Sequence, residues 1–263
     1  MKKSILLFVI ILLTNITITA QDYKVIHVKG DIEVESTHKN LVRGTAFSDK
    51  EKFQYKTNDA RAVVINTKQG KRYILKGKTT AANYNKANLT PSAGNISSRA
   101  GGLNNRLDLK NHFDGKYVIL GELRVVINSA AFPMSKDQFF FIRYVYKGET
   151  INKQLDYVGD TLIINKDSLL QVDGKPILNE DITEMELIYY TKKNDKISLS
   201  PISSTFYPVF PDEKTLKSEL AIIVETMSDA KKEDIEYAIN GYISEVYGKT
   251  NKENVNNWFY QNF

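Results

Sequence analysis

The chain has 263 residues, with 36 basic and 31 acidic side chains and no cysteine. The missing cysteines exclude disulfides, thiol nucleophiles, thiolate metal sites and a lipid-modified N-terminal cysteine. A net charge of +5, spread over interleaved basic and acidic residues, lacks the concentrated basic face that nucleic-acid binding requires.

The first twenty residues read "MKKSILLFVIILLTNITITA". Lys2 and Lys3 form a positive start, Ile5 to Leu13 is an unbroken apolar run, and a short polar stretch ends at Thr19-Ala20. That order predicts a cleavable secretory signal peptide over 1–20. The apolar run is much shorter than the roughly 20 residues of a spanning helix, which weighs against a retained anchor. Its removal takes two lysines and no acid, leaving a surplus of three positive charges. No later segment is long and apolar enough to span a bilayer, so the expectation is a periplasmic or secreted protein with no transmembrane segment after signal cleavage.

From 21 to 78 the pattern predicts a small all-β unit. "KVIHV" and "DIEVE" read as two short strands joined through Lys29-Gly30 as an opening hairpin. Ile32 and Val34 share one face, and Asp31, Glu33 and Glu35 the other. "RAVVINT" and "KRYILK" form a second hairpin around "KQG". "LVRGTAF" and "KFQYKT" are weaker strands about a polar turn, favoured as β by their branched and aromatic residues. Residues 79–115, beginning "TTAANYNKANLTPSAGNISSRAGGLNN", are rich in Asn, Ser, Thr, Ala and Gly and read as a linker.

A second β region opens at about 116. "KYVILGELRVVI", "QFFFIRYVYK", "ETINKQLDYV", "DTLIIN", "SLLQV" and "MELIYYTKK" are strand-like, and Asp173-Gly174 marks a type I′ hairpin. Phe139, Phe140, Phe141, Tyr144 and Tyr146 fall on both faces of one strand, which suits a central strand packed on each side better than a ligand surface. After Pro211 a helix carries Leu216, Leu220, Ile223, Val224 and Met227 in one stripe. A second, capped by Ser228 or Asp229 and stopped at Gly248, carries Ile235, Ile239, Tyr242, Ile243 and Val246. Thr250 and Glu253 are spaced as a capping box ahead of a last helix with Trp258 and Phe259. The fold class expected is α+β: the β unit 21–78, the linker 79–115, and a β-rich domain over 116–263 ending in helices.

Signals for chemistry are weak. His27, His38 and His112 lie far apart in sequence, and His27 sits within a strand, where a partly buried structural histidine is the common outcome. HExxH, GxSxG and Walker-type spacings are absent, and "RAGGLNN" lacks the strand-then-helix setting of a phosphate loop. Asp156 with Asp160, or Glu180 with Asp181, offer the carboxylates a glycoside hydrolase needs, but that mechanism is defined by separation in space. No catalytic residue, cofactor or metal ligand is assigned.

Gly30, the strands on either side of it, Leu41, Gly44, Thr57, the strand from Ala62 to Ile65 and the closing strand through Tyr73 to Leu75 together resemble the FecR-like domain. The resemblance covers about a fifth of the chain. It implies a β-rich periplasmic module for signalling or envelope binding, with a small sheet that holds a partner. Signalling members of that family carry a cytoplasmic segment and a membrane helix ahead of this module, whereas the residues here that precede it read as a signal peptide. The expectation is therefore an exported, non-catalytic binding or accessory protein of the bacterial cell envelope, with an envelope protein or glycan as partner and no nucleic acid. The alternatives are a glycan- or peptide-directed hydrolase using acids of the second β region, and a structural part of a secretion or adhesion assembly.

Overall fold

The computed structural model describes residues 21–77, 83–92, 103–202 and 205–263. The expected signal peptide at 1–20, residue 78 at the end of the expected β unit, and residues 79–82 and 93–102 of the expected linker lie outside the described residues. The class is α+β, strand-rich with most of the helix near the C-terminus. The chain divides into two compact units: residues up to Ser92 with Glu219–Ser228, and Ala93–Ser218 with Asp229–Phe263.

The first unit contains β1 (Tyr23–Lys29), β2 (Ile32–Val34), β3 (Lys39–Asn40), β4 (Ala46–Phe47), β5 (Lys52–Tyr55), β6 (Arg61–Asn66), β7 (Arg72–Lys76), β8 (Asn85–Lys86) and β9 (Leu89–Pro91). They make two antiparallel sheets, in the orders β4-β1-β6-β7-β9 and β3-β2-β5-β8. One core joins the sheets, with Val25, Phe47, Val64 and Leu75 from the first and Ile32, Val34, Phe53 and Tyr55 from the second. The β6–β7 hairpin forms around Lys68-Gln69-Gly70, as the turn glycine predicts.

The opening hairpin does not form. β1 pairs with β4 and β6, whereas β2 pairs with β3 and β5, so consecutive strands belong to different sheets. Gly30 makes that change of sheet. Its φ is +72°, and a Cβ there would lie 2.3 Å from Thr57 Oγ1 and 3.1 Å from the Ala60 Cα. The same Thr57 hydroxyl accepts the Asp31 N–H at 3.0 Å. The alternation of β1 is broken too: the register shifts between Val25 and His27, and Val25 and Ile26 are both fully buried.

The expected linker is also partly structured. β8 pairs with β5, and β9 with β7, each on the outer edge of its sheet. Farther on, α1 (Arg106–His112) is capped by Asn105, whose side chain accepts from the Leu107 and Asp108 amides.

The second unit continues with β10 (Gly115–Val118), β11 (Glu122–Val126), β12 (Gln138–Tyr146), β13 (Glu149–Gln154), β14 (Asp156–Val158), β15 (Thr161–Asn165), α2 (Lys166–Leu169), β16 (Gln171–Val172), β17 (Lys175–Pro176), β18 (Ile182–Lys193), β19 (Lys196–Pro201) and β20 (Phe206–Val209). Five strands run in the order β10-β20-β18-β12-β13, and β19 lies beside the far end of β18; only β10 and β20 pair in parallel. A smaller sheet has the order β11-β15-β14. Phe140, Ile142, Tyr144, Leu187 and Phe206 share a core with Leu123, Val125, Leu162 and Ile164 of the smaller sheet. The Asp173-Gly174 turn joins β16 to β17 with positive φ at both residues, as a type I′ hairpin requires. "SLLQV" is not one strand: Asn165 caps α2 by accepting from the Asp167 and Ser168 amides, and Tyr144 Oη donates to the Leu169 carbonyl at 2.8 Å.

Three helices close the chain: α3 (Glu213–Thr226), α4 (Lys232–Val246) and α5 (Lys252–Asn262). Leu216, Leu220 and Ile223 of the predicted stripe are fully buried, as are Tyr242 and Ile243 of the next. The predicted caps are displaced. Lys231 precedes α4 without a side-chain cap, in place of Ser228 or Asp229, and Asn251 rather than Thr250 caps α5 by accepting the Asn254 amide. Asn254 in turn accepts from the Leu120 amide and donates to the Leu120 and Glu122 carbonyls, tying α5 to the turn before β11 and to its first residue. Among the described residues no helix is long and apolar enough to cross a membrane.

Candidate functional site

The residues singled out from sequence do not converge. His27 Nδ1 lies 2.9 Å from Oε1 of Glu219, which is 1 % exposed, and Arg43 Nη1 is 3.8 Å from the same oxygen. These contacts give the buried Glu219 carboxyl group its polar partners, a structural role. His112 is equally structural. Its Nε2 is 2.6 Å from the Tyr117 hydroxyl, and burial, with the Lys249 ammonium nearby, pushes the imidazole down to about 4. It is therefore neutral near pH 7, and its Nε2 accepts the hydrogen bond donated by the Tyr117 hydroxyl.

Of the acids, Asp156 lies in β14 and Asp160 in the turn after it, both exposed; Glu180 and Asp181 sit in a short 3₁₀ turn. A surface depression of about 250 Å³, open solvent included, is lined by Lys153, Gln154, Asp156, Asn165 and Ser168 with apolar neighbours, and Asp156 is its one carboxylate. Among the described residues no group of three or more His, Asp or Glu is placed to hold a metal ion. The aromatic strand divides as its alternation predicts: Phe140 and Tyr144 enter the core, Phe141 is buried on the opposite face, and Phe139 stacks on Tyr190 with centroids 4.5 Å apart.

A connected polar surface does form in the first unit. Ile32 and Val34 point into the core, so the pleat turns Glu33 to the outer face of the β3-β2-β5-β8 sheet. There Lys56 Nζ donates to one Glu33 oxygen and the Tyr84 hydroxyl to the other. His38 Nδ1 stands 3.0 Å from the Tyr84 oxygen and 3.8 Å from Glu33. A hydroxyl has one proton, already given to Glu33, so His38 Nδ1 is the donor in its bond. On the same sheet Lys52 pairs with Glu35 at 2.9 Å, and the Ser36 hydroxyl donates to Glu51 at 2.7 Å.

The electrostatics follow from these bonds. The hydrogen bonds donated by Lys56 and then Tyr84 hold the Glu33 carboxyl below the usual carboxylate range. The bond to Glu33 pushes the Tyr84 hydroxyl up to about 12. The face thus presents an ionised carboxylate with its donors already oriented, beside a histidine whose side chain is 73 % exposed.

Tyr84 was not legible as part of this surface. It is the one aromatic in "NYNK", within the segment read as linker, and only the β8 pairing brings it to β5. The outward alternation of Glu33 was the available signal. A scan against protein-family models, a search of the curated proteins and a search of the solved structures each return no match to this chain.

Proposed function

We propose that this chain is an exported, non-catalytic binding or accessory protein of the bacterial cell envelope, and that its first unit is a FecR-like module holding a protein or glycan partner on the outer face of its smaller sheet. The supporting observation is the Glu33–Lys56–Tyr84–His38 network. Side chains on an exposed sheet face ordinarily lose rotamer freedom when a partner binds, at roughly 0.5–1.5 kcal/mol each. Here mutual hydrogen bonds have already fixed four of them, so a polar partner meets an ordered set of donors and acceptors. Two further observations agree with this reading. Gly30 and Thr57, which carry the resemblance, meet at the change of sheet, and Leu41 lies in the core of the unit. The leader-like order of 1–20 directly precedes the unit.

The test is recovery of a defined protein or glycan from an envelope extract by the immobilised chain, repeated with Tyr84→Phe. Loss of the hydroxyl removes the Tyr84 bonds to Glu33 and His38, leaving Lys56 on Glu33 and the fold intact, so capture is expected to weaken about tenfold, equivalent to ~1.4 kcal/mol. Unchanged capture by Tyr84→Phe would remove this face from the binding surface.

A further inference from the structure

We propose that β19 pairs with β19 of a second copy of this chain, antiparallel and related by a two-fold axis. The β18–β19 hairpin closes through Asn194 and Asp195, both at positive φ, with Lys193 opposite Lys196. The Ile202 N–H donates to the Leu187 carbonyl at 2.8 Å. That bond fixes the phase of the ladder, because hydrogen-bonded and non-hydrogen-bonded pairs alternate along antiparallel strands. Lys196, Ser198 and Ser200 therefore turn their backbone groups toward β18, while Ile197 and Leu199 turn theirs outward. No strand among the described residues pairs with that outer edge. The side chains there are open as well: Ile197 is 61 % and Leu199 46 % exposed. Pro201, which has no N–H and whose carbonyl accepts from Arg106, ends the outward-facing set.

An unpaired edge carrying aliphatic side chains is a template for another strand. Self-complementarity favours a second copy as the occupant. With Ile197 opposite the second copy's Leu199, and the reverse, both outward N–H groups and both outward carbonyls on each strand are satisfied. On one face the row Phe139, Tyr190, Leu199 then continues into the second copy's Ile197 and Lys192. On the other face Lys196 stands opposite Ser200, and Ser198 opposite its own counterpart, so no like charges oppose directly. The two Lys196 side chains are four residues apart along the strands, about 13 Å. That exceeds the screening length of ~8 Å at physiological salt. A parallel arrangement would bring both hairpin tips, each with Lys192, Lys193 and Lys196, to the same end. The contact is short, so association is weak and concentration-dependent.

Sedimentation velocity of the full chain over about a hundredfold range of concentration should show a monomer–dimer equilibrium. Leu199→Pro, which removes an outward N–H and no amide directed at β18, should abolish it. Ile197→Lys, which leaves the backbone untouched, should do the same if the proline disturbs the hairpin. The absence of native cysteine allows a sharper register test. Opposed residues of a non-hydrogen-bonded pair have Cα atoms about 4.5 Å apart, within disulfide reach. Ser198→Cys should therefore oxidise rapidly to a covalent dimer, and Ser200→Cys should not. A chain that stays monomeric throughout, with Ser198→Cys no faster than Ser200→Cys, would overturn the proposal. So would protection of the Ile197 amide from exchange that appears only when an envelope extract is added, which would assign the edge to a foreign strand.

Discussion

Replacing Gly30 by alanine is expected to destabilise the first unit by about 3 kcal/mol. Two separate penalties combine. A left-handed backbone costs a residue with a Cβ roughly 1–2 kcal/mol. The new methyl would also stand 2.3 Å from Thr57 Oγ1 and 3.1 Å from the Ala60 backbone, and relieving such crowding costs roughly 1–3 kcal/mol. Any movement of Thr57 weakens its bond to the Asp31 amide at the point where the chain changes sheets. Gly44 is the internal control. Its φ is +84°, but a Cβ there meets nothing within 4 Å, so Gly44→Ala carries the conformational cost alone. Urea unfolding followed by far-UV circular dichroism should place Gly30→Ala well below Gly44→Ala. Equal midpoints would mean that the contact with Thr57 is unimportant.

The second unit is expected to lose about 2 kcal/mol of stability between pH 6.5 and 4 through His112 alone. The folded-state value of about 4 lies below the ordinary 6.5, so the unfolded chain binds the proton more tightly. The contribution is complete above pH 6.5 and is lost as pH falls toward 4. The whole interval corresponds to about 3 kcal/mol, and partial exposure of the ring trims it to about 2. Protonation also removes the acceptor for the Tyr117 hydroxyl, which is fully buried. Trp258, the chain's single tryptophan, belongs to this unit and reports its unfolding by fluorescence. His112→Gln should flatten the slope across this window. Asp59 and Asp212, held below the ordinary carboxylate range, contribute at lower pH and do not obscure it. A slope retained in His112→Gln would assign the acid sensitivity elsewhere.

Periodicity made most strands legible, because alternation records which side chains enter a core. It also explained the aromatic strand: Phe140 and Tyr144 pack inward because a central strand is covered on that face. The assignment of strands to sheets was not legible. Whether Lys29-Gly30 closes a hairpin or carries the chain into another sheet depends on Thr57 and Ala60, nearly thirty residues away. The strands Asn85–Lys86 and Leu89–Pro91 were hidden for a different reason. They sit on sheet edges, held by backbone pairing, and Leu89 alone packs against the core, which leaves no repeating apolar pattern. Tyr84 was lost with them.

Helix stripes were read correctly, and Gly248 does follow the end of α4, but the N-caps were misplaced. Ser228, Asp229 and Thr250 have the chemistry of a cap, yet Lys231 and Asn251 occupy the cap positions. Asn254 shows what fixes the last helix: its side chain satisfies backbone groups of Leu120 and Glu122, more than 130 residues earlier in the chain. Spacing within a helix carries no record of such a contact. The same limit applied to the site, since Glu33, Lys56, Tyr84 and His38 meet only after two strand pairings are made.

Export followed by partner binding can be tested at its first step by recovering the full-length product from fractionated cells and determining its N-terminus and mass. The expected result is a chain that begins at Gln21, in the periplasm or the medium. An intact chain that retains Met1–Ala20 and stays with the cytoplasmic fraction would contradict it.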